Sequence, residues 1–289
     1  MYRFCLTART TSLHHYLMTI TAIVDDYCPR RGLRGEHGLS LLLEARGLKL
    51  LFDTGQSEIF LENTRSLGID LSDLDAVVVS HGHYDHGGGL AGLYTRLDGS
   101  LPQLYAGSGF DAPRRSKSES GLKDIGLALN EVLAHIPKPV IVQSLQELAA
   151  GVYLLPHAEL IDGTAPNPRF RTLHGDVDVI DDFEDELSLV IDGDDGVSII
   201  TGCAHRGIVN IVRSAMCSFP GKAVKAIVGG FHFVDMSPET HENTALAVAA
   251  LSPAKVYCSH CTGLPGFAVL SAAMPGKVSW LPCGMSISL

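Results

Sequence analysis

No run of about 18 apolar residues occurs in this chain, which argues against a membrane-spanning helix. The stretch from Met1 to Leu17 carries Arg3, Arg9 and two histidines and lacks the continuous apolar centre of a secretory signal. It reads as a disordered extension, with Met18 a candidate start and residues 18–289 a single domain. Basic residues are scarce as well: 22 Lys and Arg stand against 32 Asp and Glu, a formal net charge of −10. Phosphate backbones are bound chiefly by Lys and Arg, so a broad nucleic-acid surface is not expected. There is no cysteine framework either. The 7 cysteines are odd in number and scattered, a pattern of a reducing cytosol rather than of a disulfide-stapled secreted domain. Cys258 and Cys261 have the spacing of a redox or zinc pair, but no second pair matches them, and the segment reads as a strand end presenting His260.

What the chain does have is enough apolar material for one large core: 289 residues, 46% of them hydrophobic. The pattern predicts strands over 19–24, 39–44 and 48–52, a helix near 57–67, and strands over 75–80 and 102–106. Strands resume at 152–155, 187–191 and 197–201. Helices and strands then alternate to the end: helix 207–217, strand 224–228, helix 238–250, strand 254–259, helix 264–272 and strand 277–281. This is a layered α/β architecture. Residues 107–139 and 156–186 read as loops or insertions. The first carries Arg114, Arg115, Lys117 and Lys123 and suits a lid that gathers an anionic group or an ordinary solvated loop. The second holds an acidic run from Asp176 to Glu186, most of it expected to be solvated.

The densest signal follows the strand at 75–80. His81, His83, Asp85 and His86 lie within six positions. His81 and His83, two residues apart in extended chain, project to one side and can bind a divalent ion through imidazole nitrogen. Asp85 and His86 fall where Gly87, Gly88 and Gly89 let the chain bend, so they can face a second ion. Two adjacent ions can activate a water and polarise a phosphoryl or carbonyl oxygen, which points to metal-assisted hydrolysis or a relative of it.

This cluster after a hydrophobic strand resembles the metal signature of the metallo-β-lactamase superfamily, and the likeness extends over about residues 19–289. It implies a four-layer αββα sandwich and places Asp53, in the segment Leu50 to Gly55, as the carboxylate that orients the metal-binding loop. Further segments, around Glu36 to Ser40, Thr201 to Asn210, Gly229 to His232 and His260 to Gly263, resemble the dihydropteroate-synthase-like branch, that of 7,8-dihydropterin-6-methyl-4-(ribofuranosyl)aminobenzene 5'-phosphate synthase.

Two features depart from the superfamily pattern. Cys203 stands where many members carry an Asp that bridges both ions, so a thiolate can bind a soft ion there, or a water can bridge while His205 supplies a nitrogen. No Gly-His-Thr-like segment provides the usual third histidine of the first ion; His157, His174 and Asp185 are the other groups in reach. The resulting expectation is His81, His83 and His205 on one ion, and Asp85, His86 and His260 on the other. Asp85 and His232 are the candidate catalytic residues, His232 as an acid or a substrate contact, with His37 a further candidate for that role. The implied cofactors are two divalent ions, zinc first, with manganese or iron as alternatives. The implied partner is a small anionic substrate, phosphorylated or pterin-like, and the implied activity is hydrolysis or pterin condensation. A di-iron redox role needs a carboxylate where His83 stands. A non-catalytic binding protein on the same fold is the remaining alternative.

Overall fold

The computed structural model describes residues 18–127, 135–161 and 166–289. The extension expected over residues 1–17 lies outside them. The chain begins with β1 (Thr19–Val24), β2 (Ser40–Ala45), β3 (Leu48–Phe52), α1 (Ile59–Leu67), β4 (Ala76–Val78), α2 (Tyr84–Gly87), α3 (Leu90–Arg96) and β5 (Gln103–Ala106). Short strands follow: β6 (Arg114–Ser118), β7 (Gly121–Asp124), β8 (Val140–Ile141), β9 (Gln146–Ala149), β10 (Val152–Leu155), β11 (Phe170–His174) and β12 (Val177–Ile180). The closing part runs β13 (Ser188–Gly193), β14 (Gly196–Thr201), α4 (Ile208–Ser218), β15 (Val224–Gly229), α5 (Pro238–Ala250), β16 (Lys255–Cys258), a 3-10 turn (His260–Thr262), α6 (Gly263–Ala273), β17 (Val278–Trp280) and β18 (Ser286–Ser288).

Two seven-stranded sheets carry the core, in the orders β18-β1-β2-β3-β4-β5-β8 and β17-β16-β15-β14-β13-β10-β9. Each joins an antiparallel half, up to β3 or β14, to a parallel half. Successive side chains on a strand point to opposite faces, and here both faces are apolar. Ile20, Leu41, Leu43, Leu50, Phe52 and Val78 turn inward and meet Leu187, Leu189, Ile200, Ala226 and Val228 of the second sheet. Their sequence neighbours Leu42, Leu51 and Val77 turn outward under Phe60 of α1 and Leu90 and Leu93 of α3. Ile199, Ile227 and Val256 do the same under Ile208 and Val212 of α4, Val248 of α5 and Leu270 of α6. The layers therefore run helix, sheet, sheet, helix, the α/β sandwich that the sequence predicts.

The two stretches expected as loops differ from that expectation. They build a third sheet of four strands, β12-β11-β6-β7, antiparallel throughout. β6 is polar, β7 is exposed along its whole length, and β12, though Val-Asp-Val-Ile, is mostly exposed, so no buried apolar face marks the sheet. Arg114 is not part of a solvated basic lid. It is buried and ion-paired with both Asp181 and Asp185, which a desolvated guanidinium requires. The acidic run is divided accordingly: Asp181, Asp185 and Glu186 are buried, while Asp176 and Asp178 face solvent. Gly88 also has a different reason from the one expected. Its backbone is ordinary right-handed helix, but a Cβ there would lie 2.3 Å from the Gln56 carbonyl oxygen.

Parallel strands of one sheet end on the same edge, and here the ends of β3 and β4 meet those of β14, β15 and β16. The bond from the Leu187 amide to the Ser80 carbonyl, 2.7 Å, ties the two sheets together there. Phe52, fully buried between the sheets, is the test of this packing. Phe52→Ala should cost about 3–5 kcal/mol of unfolding free energy in a urea titration. A loss below about 1 kcal/mol would mean that the inner faces do not interdigitate.

Candidate metal centre

Each chemically active side chain sits just past a strand end: Asp53 after β3, the His81 to His86 segment after β4, Cys203 and His205 after β14, His232 after β15 and His260 after β16. Asp25 and Asp26 follow β1 on the same side. The loops are held at a conformational cost. Asp53, Ala204, His232 and His260 all have left-handed backbones, with φ of 60°, 56°, 50° and 48°. Such residues cost roughly 1–3 kcal/mol each and persist where surrounding contacts over-determine them.

Five imidazoles crowd together. Ring centroids of His81 lie 4.6 Å from His83, 4.8 Å from His205 and 4.2 Å from His86, and His86 lies 5.1 Å from His260. The Nε2 atoms of His81, His83 and His205 are buried without a hydrogen-bond partner, while His260 Nε2 faces Asp85 Oδ2 at 3.4 Å. Burial holds the rings of His81, His83 and His205 neutral, well below the ordinary histidine pKa, and their mutual repulsion adds to it. Unpartnered lone pairs in a dry site are costly, and a cation is the partner that neutral imidazoles of this kind accept. The donor atoms of His81, His83 and His205 lie within 4.8 Å of one another, as do those of Asp85, His86 and His260. The residues present therefore fit a metal group, and the structure brings together both ligand sets expected from the sequence.

Carboxylates fix the rings from behind. Asp53 accepts hydrogen bonds from the Ser80 amide and hydroxyl, each 2.7 Å, and sits 2.7 Å from His86 Nδ1. That turns His86 Nε2 toward Cys203 Sγ, 3.0 Å away. Asp26, which sequence reasoning missed, links two rings: Oδ1 lies 2.6 Å from His260 Nδ1 and Oδ2 lies 2.9 Å from His37 Nδ1. His37 Nε2 in turn is 3.2 Å from Asp85 Oδ2, so half-exposed His37 borders the site. Asp25 accepts from the His260 amide and the Trp280 indole, 2.7 and 2.8 Å. Burial would raise Asp26 and Asp85, but hydrogen bonds from His260 and His37 to Asp26, and the charge of His86 with a bond from His260 to Asp85, hold both well below the usual range. His260 shows the complement. Burial opposes its charge, yet the neighbouring Cys261 and the bonds to Asp26 and Asp85 raise its pKa well above the ordinary value.

Asp185 approaches the site, but its oxygens are engaged by the Gly82 amide at 2.7 Å and by Arg114 at 2.8 Å, so it shapes the turn between His81 and His83. Phe183, also missed, stacks flat on His205 with centroids 4.0 Å apart. His157 is exposed and bonded to the Glu184 carbonyl, and His174 is exposed at the end of β11; neither joins the cluster. A cavity of about 450 Å³ opens over the centre, lined by His37, Asp85, His205, His232 and His260 and walled by the third sheet through Ser116, Lys123 and Phe170.

Comparison with known proteins agrees with this geometry. A family model described as "Metallo-beta-lactamase superfamily" matches residues 33–101. The 7,8-dihydropterin-6-methyl-4-(beta-D-ribofuranosyl)-aminobenzene-5'-phosphate synthase of Methanocaldococcus jannaschii is 30% identical over 256 residues, covering 84% of this chain and 87% of the relative. The chain belongs to the metallo-β-lactamase superfamily. Within it, the chain falls in the branch that includes this synthase. A crystal structure described as a metal-dependent hydrolase of the beta-lactamase superfamily matches with a TM-score of 0.82 and 32% identity, covering 93% of this chain and 98% of that one. The Zn(2+)-bound PqqB of Methylobacterium extorquens shares the fold at 11% identity, with a TM-score of 0.58 over 94% and 100% of the chains. Kinship to a synthase and to metallo-hydrolases supports enzyme status for this metallo-β-lactamase fold. Among the described residues no helix is long and apolar enough to cross a membrane.

Glu186 was also not foreseen as part of the site. Its carboxylate accepts from the His205 amide at 2.6 Å and the Arg206 amide at 3.1 Å, which pins the loop after β14. Burial pushes its pKa from 4.5 up to about 7 despite those bonds. A carboxyl raised on folding favours the folded state while protonated, and that contribution is lost as pH rises from 4.5 to about 7. The difference in Tm between metal-free Glu186→Gln and wild type should therefore shift in the variant's favour across that window. A difference that stays constant with pH would contradict the burial of an ionisable group there.

Proposed function

We propose that this chain is a metal-dependent enzyme acting on a small anionic substrate, phosphorylated or pterin-like, through a centre of two divalent ions. His81, His83 and His205 would hold one ion and Asp85, His86 and His260 the other. The observation that carries this reading is the group of buried, unpartnered Nε2 atoms contributed from both sheets. Zinc suits a set rich in imidazole with a thiol nearby, while manganese and iron also accept imidazole with carboxylate. When bound, two such ions polarise a phosphoryl or carbonyl oxygen and neutralise charge that develops on a leaving oxygen.

The chain's own residues do the rest. Lys123 places positive charge on the cavity wall for an anionic group, with Arg169 beside it paired to Asp235 at 2.6 Å, and Tyr84, Phe170, Ile125 and Val234 offer apolar surface to a flat ring. Both cations are already oriented: Lys123 Nζ stands 5.6 Å from the Tyr84 ring centre, and the Arg169 guanidinium stands 4.8 Å from that of Phe170. Burial lowers His232 to a pKa of about 4, so its ring is neutral in the free protein. A neutral ring can hydrogen-bond a substrate oxygen, and an anion seated beside it raises the pKa and readies it to hold a proton. Among the described residues Cys28, Cys203, Cys217, Cys258, Cys261 and Cys283 form no disulfide, which supports the reading of a cytosolic enzyme.

Likeness to the methanocaldococcal synthase supports a second reading, condensation of a pterin alcohol derivative with a ribofuranosylaminobenzene phosphate: the exocyclic methylene carbon bonds the amine nitrogen as its C–O bond breaks, the alcohol oxygen leaves with its activating group or as water, and the amine gives up a proton. The aromatic and cationic walls of the cavity favour it, because the two partners bring a flat heterocycle and a phosphate. Incubating metal-loaded protein with those precursors, and separately with phosphoesters and lactones, distinguishes the readings. A product of the combined skeleton identifies condensation, and released phosphate or acid identifies hydrolysis. His83→Ala should abolish whichever is found and lower metal content with it; retained turnover in that variant contradicts the assignment.

A further inference from the structure

Cys203 and Cys261 come from different loops, 58 positions apart in sequence, yet Cys261 Sγ lies 3.7 Å from the Cys203 carbonyl oxygen. Their sulfurs and a ring nitrogen of His260 all lie within 4.8 Å of one another. Both cysteines are buried, but neither packs into a hydrophobic cluster as a buried structural cysteine usually does. Cys203 Sγ instead faces His86 Nε2 at 3.0 Å, and Cys261 Sγ receives the His232 amide N–H at 3.3 Å. Cys258, which shares the Cys-x-x-Cys spacing with Cys261, behaves in the opposite way: it lies in the apolar layer between the second sheet and its helices. Gly230 shows that the backbone is shaped around the sulfur. A Cβ at that position would stand 2.6 Å from Cys261 Sγ and 2.6 Å from the Gly202 carbonyl oxygen.

We propose that Cys203 and Cys261 are metal ligands acting as a pair, giving the Asp85, His86 and His260 end of the centre a two-sulfur face that selects soft divalent ions. The inference rests on the two-ion reading above. On binding, each thiol loses its proton, so two thiolates cancel the charge of a divalent ion, and sulfur prefers zinc or cobalt to manganese. The pair also gives the substitution at Cys203 a chemical purpose: Cys203 does not merely replace an oxygen ligand but works with a second sulfur from the next loop but one.

Reconstitution with cobalt(II) alone reads this directly, because sulfur-to-cobalt charge transfer absorbs in the near ultraviolet and histidine and carboxylate ligands give no such band. Cobalt-loaded wild type should show the band, and Cys261→Ser and Cys203→Ser should each lose about half of it at equal cobalt content, with the double variant losing all. Cys258→Ala should keep it. Circular dichroism checks that each variant is folded. Gly230→Ala, which retains both thiols but crowds the Cys261 sulfur, should lose the same share as Cys261→Ser. A full band in Cys261→Ser, or no band in wild type that holds cobalt by elemental analysis, overturns the proposal and leaves the two-ion reading standing. Failure of wild type to bind cobalt at all overturns both.

Discussion

A dry cluster of imidazoles whose lone pairs have nowhere to go is the constraint that the surrounding structure serves. His81, His83 and His205 each leave Nε2 without a partner. In water such nitrogens would be satisfied, so burying them together is unfavourable unless something positive joins them. The sandwich supplies the means of burial. Two sheets whose parallel halves end on a common edge bring loops from distant parts of the chain to one place, and the packed faces of those sheets resist the strain in the loops. Left-handed backbones at Asp53 and His260 are tolerated because each residue is tied down by several bonds at once.

The electrostatic design is a graded one. Toward the His81, His83 and His205 end the groups are neutral, since burial suppresses their charge. Toward the other end, Asp26, Asp85 and His260 keep their charges through mutual contacts, with Asp26 connecting His260 to His37 at the rim. On the two-ion reading, a divalent ion held by His81, His83 and His205 would meet nitrogen, and one at the other end would meet carboxylate and nitrogen, with the sulfurs of Cys203 and Cys261 beside it. The two ends therefore differ in charge and softness, which suits a reaction in which one side binds substrate oxygen and the other compensates charge. Behind both, Asp53, Glu186 and the Arg114 pair with Asp181 and Asp185 fix loop geometry without themselves presenting a free donor to the centre.

Much of this was legible in the sequence for identifiable reasons. Strands buried on both faces read as continuous apolar runs, so the central strands of the two main sheets and most of their helices were placed close to where they stand, whereas the short strands β8, β9 and β18 and the helix α3 were not. The candidate ligands His81, His83, Asp85 and His86 are local in sequence, and those after β14 and β16 sit at strand ends, where parallel topology gathers functional groups. The third sheet left no such trace, because strands such as Gly121–Asp124 bury nothing and lack alternation. Asp25, Asp26, Phe183 and Glu186 were illegible for another reason. Their roles exist only through tertiary contact, and an acidic residue beside a strand or within an acidic run looks solvated until the fold buries it. Cys258 and Cys261 were set aside as a lone pair with no second pair to match, and sequence spacing does not show that the spatial neighbour of Cys261 is Cys203.

The most direct test of the central claim is elemental analysis of protein purified without chelator and reconstituted with zinc, manganese or iron, carried out on wild type and on His86→Ala. The account predicts about two divalent ions per chain in wild type and a clear loss in the variant. Wild type that remains free of metal after reconstitution, or a variant that retains the full complement, would contradict it.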